Sequence, residues 1–266
     1  MKKPLDLVIT GLPRSGTSFL CSRINGYGNT AVINEPSEIF REAKNGEAEG
    51  VGRVFDSYRR DISAGKPVLN KIRDGRFIED TRLEDSRSEH LHEVTDENFT
   101  LGIKNTLVFL AMLPELVKSK RFPRIIASIR HPMDCIASWH NVEFPHLKSA
   151  KPAFLVDYSS APFQQKLTAL LEEENLYRRS ARLWLLLAQT LLAARGKIKI
   201  LRYEDIVSKP QSAQDAICGY LDIPQLGVEL PEASRPVKRR EMLDSAQQKV
   251  IAEECNKLAS QFGYKL

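Results

Sequence analysis

The chain has 266 residues, 42% of them hydrophobic and 27% charged, so it can bury a substantial core, and we expect one domain over residues 1–266. The four cysteines are far apart and form no C-x-x-C pair, which argues against structural zinc and a disulfide framework and favours a reducing compartment. The apolar run after Met1 stops at Ile9, too early for a signal peptide, and no later stretch is long enough to span a bilayer. These properties predict a soluble, cytoplasmic protein.

The charge balance is basic, with a net charge of +5 and a pI near 9.0. Such a balance fits an ordinary solvated surface, a nucleic-acid face, or a pocket for a small, highly charged anion. The densest basic segment is 235–240, and no aromatic residues interleave with it. A nucleic-acid partner is therefore the weaker interpretation.

Short apolar strands alternate with amphipathic helices along the chain. Strands are predicted at 5–10, 99–104, 124–129 and 197–201. Helices are predicted at 17–25, at 107–118 with a possible kink at Pro114, from Pro132 onward, within 161–195, and at 245–258. Continuous apolar strands separated by helices are typical of a parallel sheet covered on both faces. The fold class predicted is therefore α/β, a three-layer α/β/α arrangement around a central parallel sheet.

Two segments are less regular. Residues 41–98 are rich in charge and poor in apolar periodicity, and residues 143–165 carry no readable motif. Because loops at strand ends usually carry specificity, we expect both segments to act as lid or substrate-binding insertions.

A glycine-rich loop follows the first predicted strand. Gly11, Gly16 and Ser18 fall on the fixed positions of the phosphate-binding pattern G-x-x-x-x-G-K-[ST], but Thr17 replaces its lysine. That lysine would reach the β and γ phosphates of a nucleotide triphosphate. The loop can still bind an anion through backbone N–H groups, so it predicts a phosphorylated ligand other than a triphosphate.

A second candidate motif, R-x-P-x-x-x-x-x-S, comprises Arg130, Pro132 and Ser138. A guanidinium at a strand end can bind a phosphate bidentately, and the serine hydroxyl can support the same anion. Lys104 also follows a predicted strand. Since ligands of open α/β sheets bind outside the carboxyl ends of the strands, the loop, Lys104 and Arg130 are expected to meet in one site.

The motifs together resemble the sulfotransferase family, which uses 3′-phosphoadenosine 5′-phosphosulfate (PAPS) as sulfuryl donor. The resemblance is carried by Pro-Arg-Ser-Gly-Thr-Ser at 13–18, by the Arg130 motif, by Arg-Tyr-Glu-Asp-Ile at 202–206 with Lys-Pro at 209–210, and by Phe-Gly-Tyr at 262–264. It implies a P-loop NTPase-like fold, with the first motif holding the 5′-phosphosulfate and the second holding the 3′-phosphate.

The resemblance also implies roles for individual residues. Arg14 would neutralise the bridging oxygen as the sulfuryl group departs, Lys104 would be a second cation on the transferring group, and Tyr203 would touch the adenine. Arg235 or Lys238 would reach the 3′-phosphate, with the choice between them open. No metal is expected, because the fixed cations would replace it. The loop amides would bind the 5′-phosphate through Ser15, Gly16, Thr17 and Ser18.

The general base is expected to be Glu35. Many cytosolic relatives use a histidine in a Lys-Thr-His segment, where this chain has Lys-Asn-Thr at 104–106. Glu35 resembles the acidic base of the protein-tyrosine sulfotransferases, so the chain is closer to that type and to bacterial members. The alternative is a helix-start acid that stabilises the helix dipole. His140 and His146 are reserve candidates.

The function predicted is sulfuryl transfer from PAPS to a hydroxyl acceptor. Carbohydrate, lipid, phenol and peptide acceptors all stay open, as does the oligomeric state. Two alternatives are a P-loop kinase or nucleotidase with an altered loop, and a non-catalytic module that binds anions or nucleic acid.

Overall fold

Five parallel strands form the central sheet of the protein. The computed structural model describes residues 4–25, 27–79, 86–141, 157–224 and 232–266. Its strands, numbered in chain order together with four short strands outside this sheet, are β1 (Leu5–Gly11), β2 (Thr30–Asn34), β7 (Thr100–Lys104), β8 (Arg124–Ile129) and β9 (Lys199–Arg202). Their order across the sheet is β2-β7-β1-β8-β9.

The register of the sheet aligns the carboxyl ends of four strands. Lys104 is paired with Ile9 of β1 and with Asn34 of β2, while Gly11 is paired with Ser128 of β8. The segments that follow β1, β2, β7 and β8 therefore leave the sheet at one edge, where a ligand of an open α/β sheet binds.

Helices cover both faces of this sheet. One face carries the larger apolar cluster, which contains Phe55, Phe109, Trp139 and Trp184, and the other carries a smaller cluster that includes Leu20. The three-layer α/β/α prediction is confirmed. The helices are α1 (Thr17–Asn25), α2 (Glu38–Glu42), α3 (Ala48–Ser63), α4 (Thr106–Ala111), α5 (Leu113–Lys118), α6 (Pro132–Asn141), α7 (Ala161–Leu170), α8 (Leu176–Ala193), α9 (Tyr203–Ser208), α10 (Pro210–Leu221) and α11 (Ser245–Ser260).

Most predicted elements are present, and the differences have local causes. The helix expected at 107–118 is two helices, α4 and α5, because Pro114 lies in the first turn of α5. The helix expected within 161–195 is also two, since Asn175 accepts hydrogen bonds from the N–H groups of Tyr177 and Arg178 and starts α8 anew.

The segment 41–98 contains small sheets that its sequence does not reveal. Strand β3 (Val68–Asn70) pairs with β6 (Ser88–His90), and β4 (Ile72–Arg73) pairs with β5 (Arg76–Phe77), both antiparallel. Two- and three-residue strands are too short to show an alternating pattern. Most of the second predicted insertion, 143–156, lies outside the described residues.

Asn70, at the end of β3, covers the free edge of β2. Its Oδ1 accepts from the Asn34 N–H at 2.8 Å, and its Nδ2 donates to the Val32 carbonyl at 2.7 Å. The same Oδ1 accepts from the Lys71 N–H at 2.9 Å. The buried Asn70 side chain thus makes hydrogen bonds to the edge of β2 that a further strand would otherwise make, and it also binds the backbone of Lys71.

Asn70→Ala is expected to lower the free energy of unfolding by roughly 2–4 kcal/mol, because it leaves more than one buried backbone group without a partner, at about 1–3 kcal/mol each. Urea unfolding measures the change. Asn98→Ala is the matched control, since Asn98 is exposed and should change stability by less than about 0.5 kcal/mol. Equal effects of the two substitutions would contradict the role assigned to Asn70.

Candidate active site

A cavity of about 610 Å³ opens at the carboxyl edge of the sheet. This volume lies in the range of small-molecule sites. Its walls come from the glycine-rich loop, the start of α1, residues 104–107, Arg130, Tyr203 and the segment 234–239. The three motifs expected to meet do meet here.

Hydrogen bonds made by Ser15 stabilise the conformation of the glycine-rich loop. The Ser15 hydroxyl contacts the Leu12 carbonyl at 2.6 Å and the Ser128 hydroxyl at 2.8 Å, and the Ser15 N–H donates to Leu12 O at 3.1 Å. This amide is therefore engaged inside the loop. Gly11 has φ +151°, and a β-carbon there would lie 2.4 Å from the Ser128 carbonyl, so only glycine fits.

The members of the loop that line the cavity are Pro13, Arg14, Gly16, Thr17 and Ser18. The hydrogen bond from the Leu20 N–H to the Gly16 carbonyl, 2.9 Å, is the first of the helical hydrogen bonds of α1. The amides that precede it lack intrahelical partners, as at any helix start, and can donate to an anion. Thr17 contacts the Thr106 hydroxyl at 3.0 Å, so the position of the usual lysine joins α1 to α4.

Tyr203 lies between the loop and Arg130. Gly16 has φ +80°, and a β-carbon there would be 2.5 Å from the Tyr203 ring. On the other side, the Arg130 guanidinium carbon lies 4.6 Å from the ring centroid. Tyr203 thus fills the gap between the two phosphate motifs and also lines the cavity.

Arg130 is 6% exposed and already partly bonded. Its terminal nitrogens donate to the carbonyls of Arg14 and Val237, whereas its buried Nε has no partner among the described residues. A buried donor without an acceptor is rare in folded proteins.

Ser138 reaches the site through Arg14. It is fully buried on α6, is absent from the cavity wall, and accepts from Arg14 Nε at 3.3 Å. Arg14 has φ +65°, a left-handed conformation that costs energy for a residue other than glycine. Both features orient the Arg14 side chain.

Glu35 follows β2 directly and is held by two lysines. Lys104 Nζ lies 2.6 Å from Oε1 and Lys71 Nζ lies 2.6 Å from Oε2. The Glu35 N–H donates to the Lys104 carbonyl at 2.8 Å, and Glu35 has φ +53°. Lys104 Nζ also lies 3.3 Å from the Ser18 hydroxyl, so it joins Glu35 to the glycine-rich loop.

The charge state of Glu35 follows from these contacts. Burial by itself raises the pKa of this carboxyl, but the positive charges of Lys104 and Lys71 and their hydrogen bonds outweigh it and hold the pKa at about 2. Glu35 is therefore ionised at neutral pH. Sequence analysis missed Lys71, because a single lysine in a charge-rich segment carries no motif.

The basic segment 235–240 is anchored by Asp134 of α6. The Asp134 carboxylate accepts from the N–H groups of Arg239 and Arg240, each at 2.8 Å, and from the Arg240 guanidinium at 2.6 Å. Arg235 and Arg239 line the cavity, whereas Lys238 is exposed and does not.

The histidines that the structure describes do not line the cavity. His140 contacts the Ser180 hydroxyl at 2.9 Å and stacks on Tyr177 at 4.2 Å between ring centroids. His146 lies outside the described residues. Among the described candidates for the general base, Glu35 lines the cavity and the histidines do not.

The Phe-Gly-Tyr sequence at 262–264 supports the backbone beside Arg130. The Tyr264 hydroxyl donates to Glu204 at 2.9 Å and lies 3.3 Å from the Ile129 carbonyl oxygen, and Glu204 accepts from the His131 N–H at 3.0 Å. The C-terminal residues thereby fix both neighbours of Arg130.

Both tryptophans of the chain donate to backbone carbonyls of the site. Trp139 Nε1 lies 2.9 Å from the Pro13 carbonyl, and Trp184 Nε1 lies 3.3 Å from the Arg130 carbonyl. One indole is thus bonded to each phosphate motif.

Within the described ranges, no group of three His, Cys, Asp or Glu side chains is arranged to hold a metal ion. In the same part of the chain, no helix combines the length and apolar character needed to cross a bilayer.

The comparisons with known proteins agree with this architecture. The sequence profile described as "Sulfotransferase family" matches residues 6–226, and the chain belongs to this family. No curated protein matches the chain significantly.

Among solved structures, the sulfotransferase domain from the curacin biosynthetic pathway aligns with a TM-score of 0.53 at 17% identity, covering 100% of each chain. The sulfotransferase domain from the Synechococcus PCC 7002 olefin synthase aligns with a TM-score of 0.52 at 14% identity, covering 100% of this chain and 97% of that one. At such identities the likeness establishes the fold.

Glu35→Gln is expected to destabilise the protein at neutral pH, because two buried ammonium groups lose their charged partner. The Glu35 pKa is about 2 in the folded protein against an ordinary value of 4.5. The stabilisation by the ionised carboxyl is therefore complete above pH 4.5 and is lost as the pH falls from 4.5 towards 2.

Urea unfolding from about pH 3 to 8 tests this expectation. The deficit of the variant should be constant above about pH 6 and shrink on acidification. Glu115→Gln is the control, since Glu115 pairs with Lys118 on the surface at 2.8 Å and should show little deficit at any pH. A deficit that does not change with pH would refute the assigned ion pairs.

Proposed function

We propose that the protein transfers a sulfuryl group from PAPS to a hydroxyl acceptor. The observation that carries the proposal is the convergence of a phosphate-binding loop, Arg14, Lys104 and Arg130 with the carboxylate of Glu35 in one cavity. Membership of the sulfotransferase family supports sulfuryl transfer in general. The donor and the roles of individual residues are the finer part of the proposal.

The donor is proposed to bind along the loop and Arg130. Amides of Gly16, Thr17 and Ser18 hold the 5′-phosphate, as the free N–H groups of a helix start favour an anion. Arg130 holds the 3′-phosphate, and its unpartnered Nε supports this assignment. Arg235 is preferred to Lys238 as an auxiliary cation because it lines the cavity.

The acceptor hydroxyl is proposed to react beside Glu35. The acceptor oxygen forms a bond to sulfur as the bond between sulfur and the 5′-phosphate oxygen breaks, and the hydroxyl proton passes to Glu35. The negative charge left on the phosphate oxygen is stabilised by Arg14, and Lys104 stabilises the transferring group. Atoms and charge balance without a further reactant.

Incubating the purified protein with sulfur-35-labelled PAPS and a panel of carbohydrate, lipid, phenol and peptide acceptors tests the proposal. Transfer of label to one class supports it and identifies the acceptor. If neither PAPS nor adenosine 3′,5′-bisphosphate binds at millimolar concentration, the proposal is wrong. Magnesium-dependent ATP binding would favour a kinase instead, which Thr17 disfavours, and salt-sensitive oligonucleotide binding would favour a nucleic-acid module.

Arg130→Ala should weaken binding of adenosine 3′,5′-bisphosphate by roughly 10- to 100-fold, because a charged hydrogen-bond partner is worth about 1.5–3 kcal/mol. Affinity for adenosine 5′-monophosphate, which lacks the 3′-phosphate, should change little. Calorimetry with both ligands measures the difference.

Arg124→Ala is the matched control for this experiment. Arg124 lies at the opposite end of the same strand, β8, outside the cavity wall. Its removal should leave both affinities unchanged. An equal loss for both nucleotides in Arg130→Ala would show that Arg130 does not distinguish the 3′-phosphate.

Glu35→Gln should lower turnover by roughly 10²–10⁴-fold without weakening PAPS binding, because a general base acts on the acceptor proton and not on the donor. Initial rates with labelled donor and equilibrium binding provide the two readouts. Unchanged turnover would move the base role to another residue.

A further inference from the structure

The two lysines that hold Glu35 differ in what else they can reach. Lys104 lines the cavity and lies 3.3 Å from the Ser18 hydroxyl, at the loop proposed to bind the donor. Lys71 is 4% exposed, does not line the cavity, and contacts the other carboxylate oxygen from the side of β3 and β4. Only Lys104 is therefore placed to contact a bound donor.

We propose that Lys71 is a positioning residue that holds Oε2 of Glu35 while Lys104 turns from Oε1 to the sulfuryl group, leaving Oε1 to accept the proton. This inference rests on the proposed function, since it requires an anionic donor beside Ser18.

The charges of the cluster favour such an exchange. The ammonium groups of Lys71 and Lys104 and the carboxylate of Glu35 together carry one net positive charge, so this cluster attracts an anion. An anionic oxygen near Ser18 competes with Glu35 for Lys104. If Lys104 were the sole partner, its departure would leave a buried carboxylate unpaired, which is strongly unfavourable. Lys71 keeps the carboxylate ionised and fixed in direction.

The exchange also relieves a difficulty in the chemistry. A carboxyl with a pKa of about 2 is a weak base, because proton transfer is most effective when the pKa lies near the working pH. Lys104 lowers the pKa of Glu35 more than Lys71 does. Its departure therefore raises the basicity of Glu35 when the donor is present.

Other ionisable groups lie near Glu35 or line the same cavity. The Cys21 thiol on α1 interacts with both Lys104 and Glu35, and burial raises its pKa to about 12, so it stays neutral. Arg14, Arg130, Arg235, Arg239 and Glu79 line the same cavity.

Lys71 rests on a rigid support. Its N–H donates to Asn70 Oδ1 at 2.9 Å, and its carbonyl accepts from the Ile78 N–H at 3.0 Å. A side chain on such a support can fix the direction of its partner. This suits a positioning role, in which small displacements of the base carry a large kinetic effect.

Carbon-13 NMR of the Glu35 carboxyl, assigned with Glu35→Gln, tests the proposal as a titration with and without saturating PAPS. In the wild-type protein PAPS should raise the Glu35 pKa. In Lys104→Met the pKa should be raised already without PAPS and should not respond to it. In Lys71→Met it should be raised without PAPS and rise further with it.

The outcomes separate this inference from the donor assignment. If PAPS shifts the amide signals of Gly16 and Thr17 but leaves the Glu35 pKa unchanged, the exchange of Lys104 is refuted and the donor stands. If PAPS shifts none of these signals, the donor assignment is wrong and the inference falls with it. The wild-type titration needs no substitution at Lys71, so the test holds even if Lys71→Met does not fold.

Turnover provides the second readout. Lys71→Met should lower kcat by roughly 10- to 100-fold with PAPS affinity within about twofold, as expected when a reacting group is misplaced. Lys71→Arg, which keeps the charge, should recover most of kcat. Lys66→Met is the control, since Lys66 is exposed and lies 3.7 Å from Asp61. A parallel loss of PAPS affinity, or no loss of kcat, would overturn the positioning role.

Discussion

The ion pairs of Glu35 with Lys104 and Lys71 determine the arrangement of the part of the cavity proposed to receive the acceptor. Both lysines are buried, with 1% of Lys104 and 4% of Lys71 exposed, and each buried charge would be costly without the carboxylate. The carboxylate in turn depends on the sheet, because the Glu35 N–H continues the pairing of β2 with β7 by donating to Lys104 O. A shift of one residue between these strands would turn the lysine or the carboxylate to the wrong face.

The part of the cavity proposed to bind the donor has a different construction. Its loop is shaped by buried hydroxyls, with Ser15 bonded to Leu12 and Ser128, and its arginine is supported by the C-terminal residues through Glu204. Segments from three distant parts of the chain thus stabilise one short stretch of anion-binding backbone. Local sequence sets the chemistry of this side, and tertiary contacts set its direction.

The elements that could be predicted from the sequence are those with a local signal. The strand at 124–129, the helix beginning at Pro132 and the glycine-rich loop follow from apolar runs and from the backbone preferences of proline and glycine. Four of the five strands of the sheet, the layered fold and the family were therefore predictable, whereas β2 was not among the predicted strands. Arg14, Lys104, Arg130 and Glu35 could be proposed as site residues because each directly follows, or lies in the loop that follows, a strand or apolar run that a pattern can locate.

What was missed depends on contacts that no local pattern encodes. Lys71 reaches Glu35 only because the buried amide of Asn70 holds its backbone against β2, across 36 residues of sequence. Likewise, no local pattern encodes the contacts of Asp134 with residues 239 and 240, or the fact that Arg235 lines the cavity and Lys238 does not. Ser138 was predicted to support the anion, and in the structure it contacts Arg14 instead of the cavity.

The indole contacts give the molecule an optical property. The chain has two tryptophans, and their ring nitrogens are bonded to the carbonyls of Pro13 and Arg130. Indole emission depends on the local electric field and on the hydrogen bond of the ring nitrogen. An anion bound between the two motifs would change the electric field near both rings, so we expect the indole emission of the unmodified protein to report such binding.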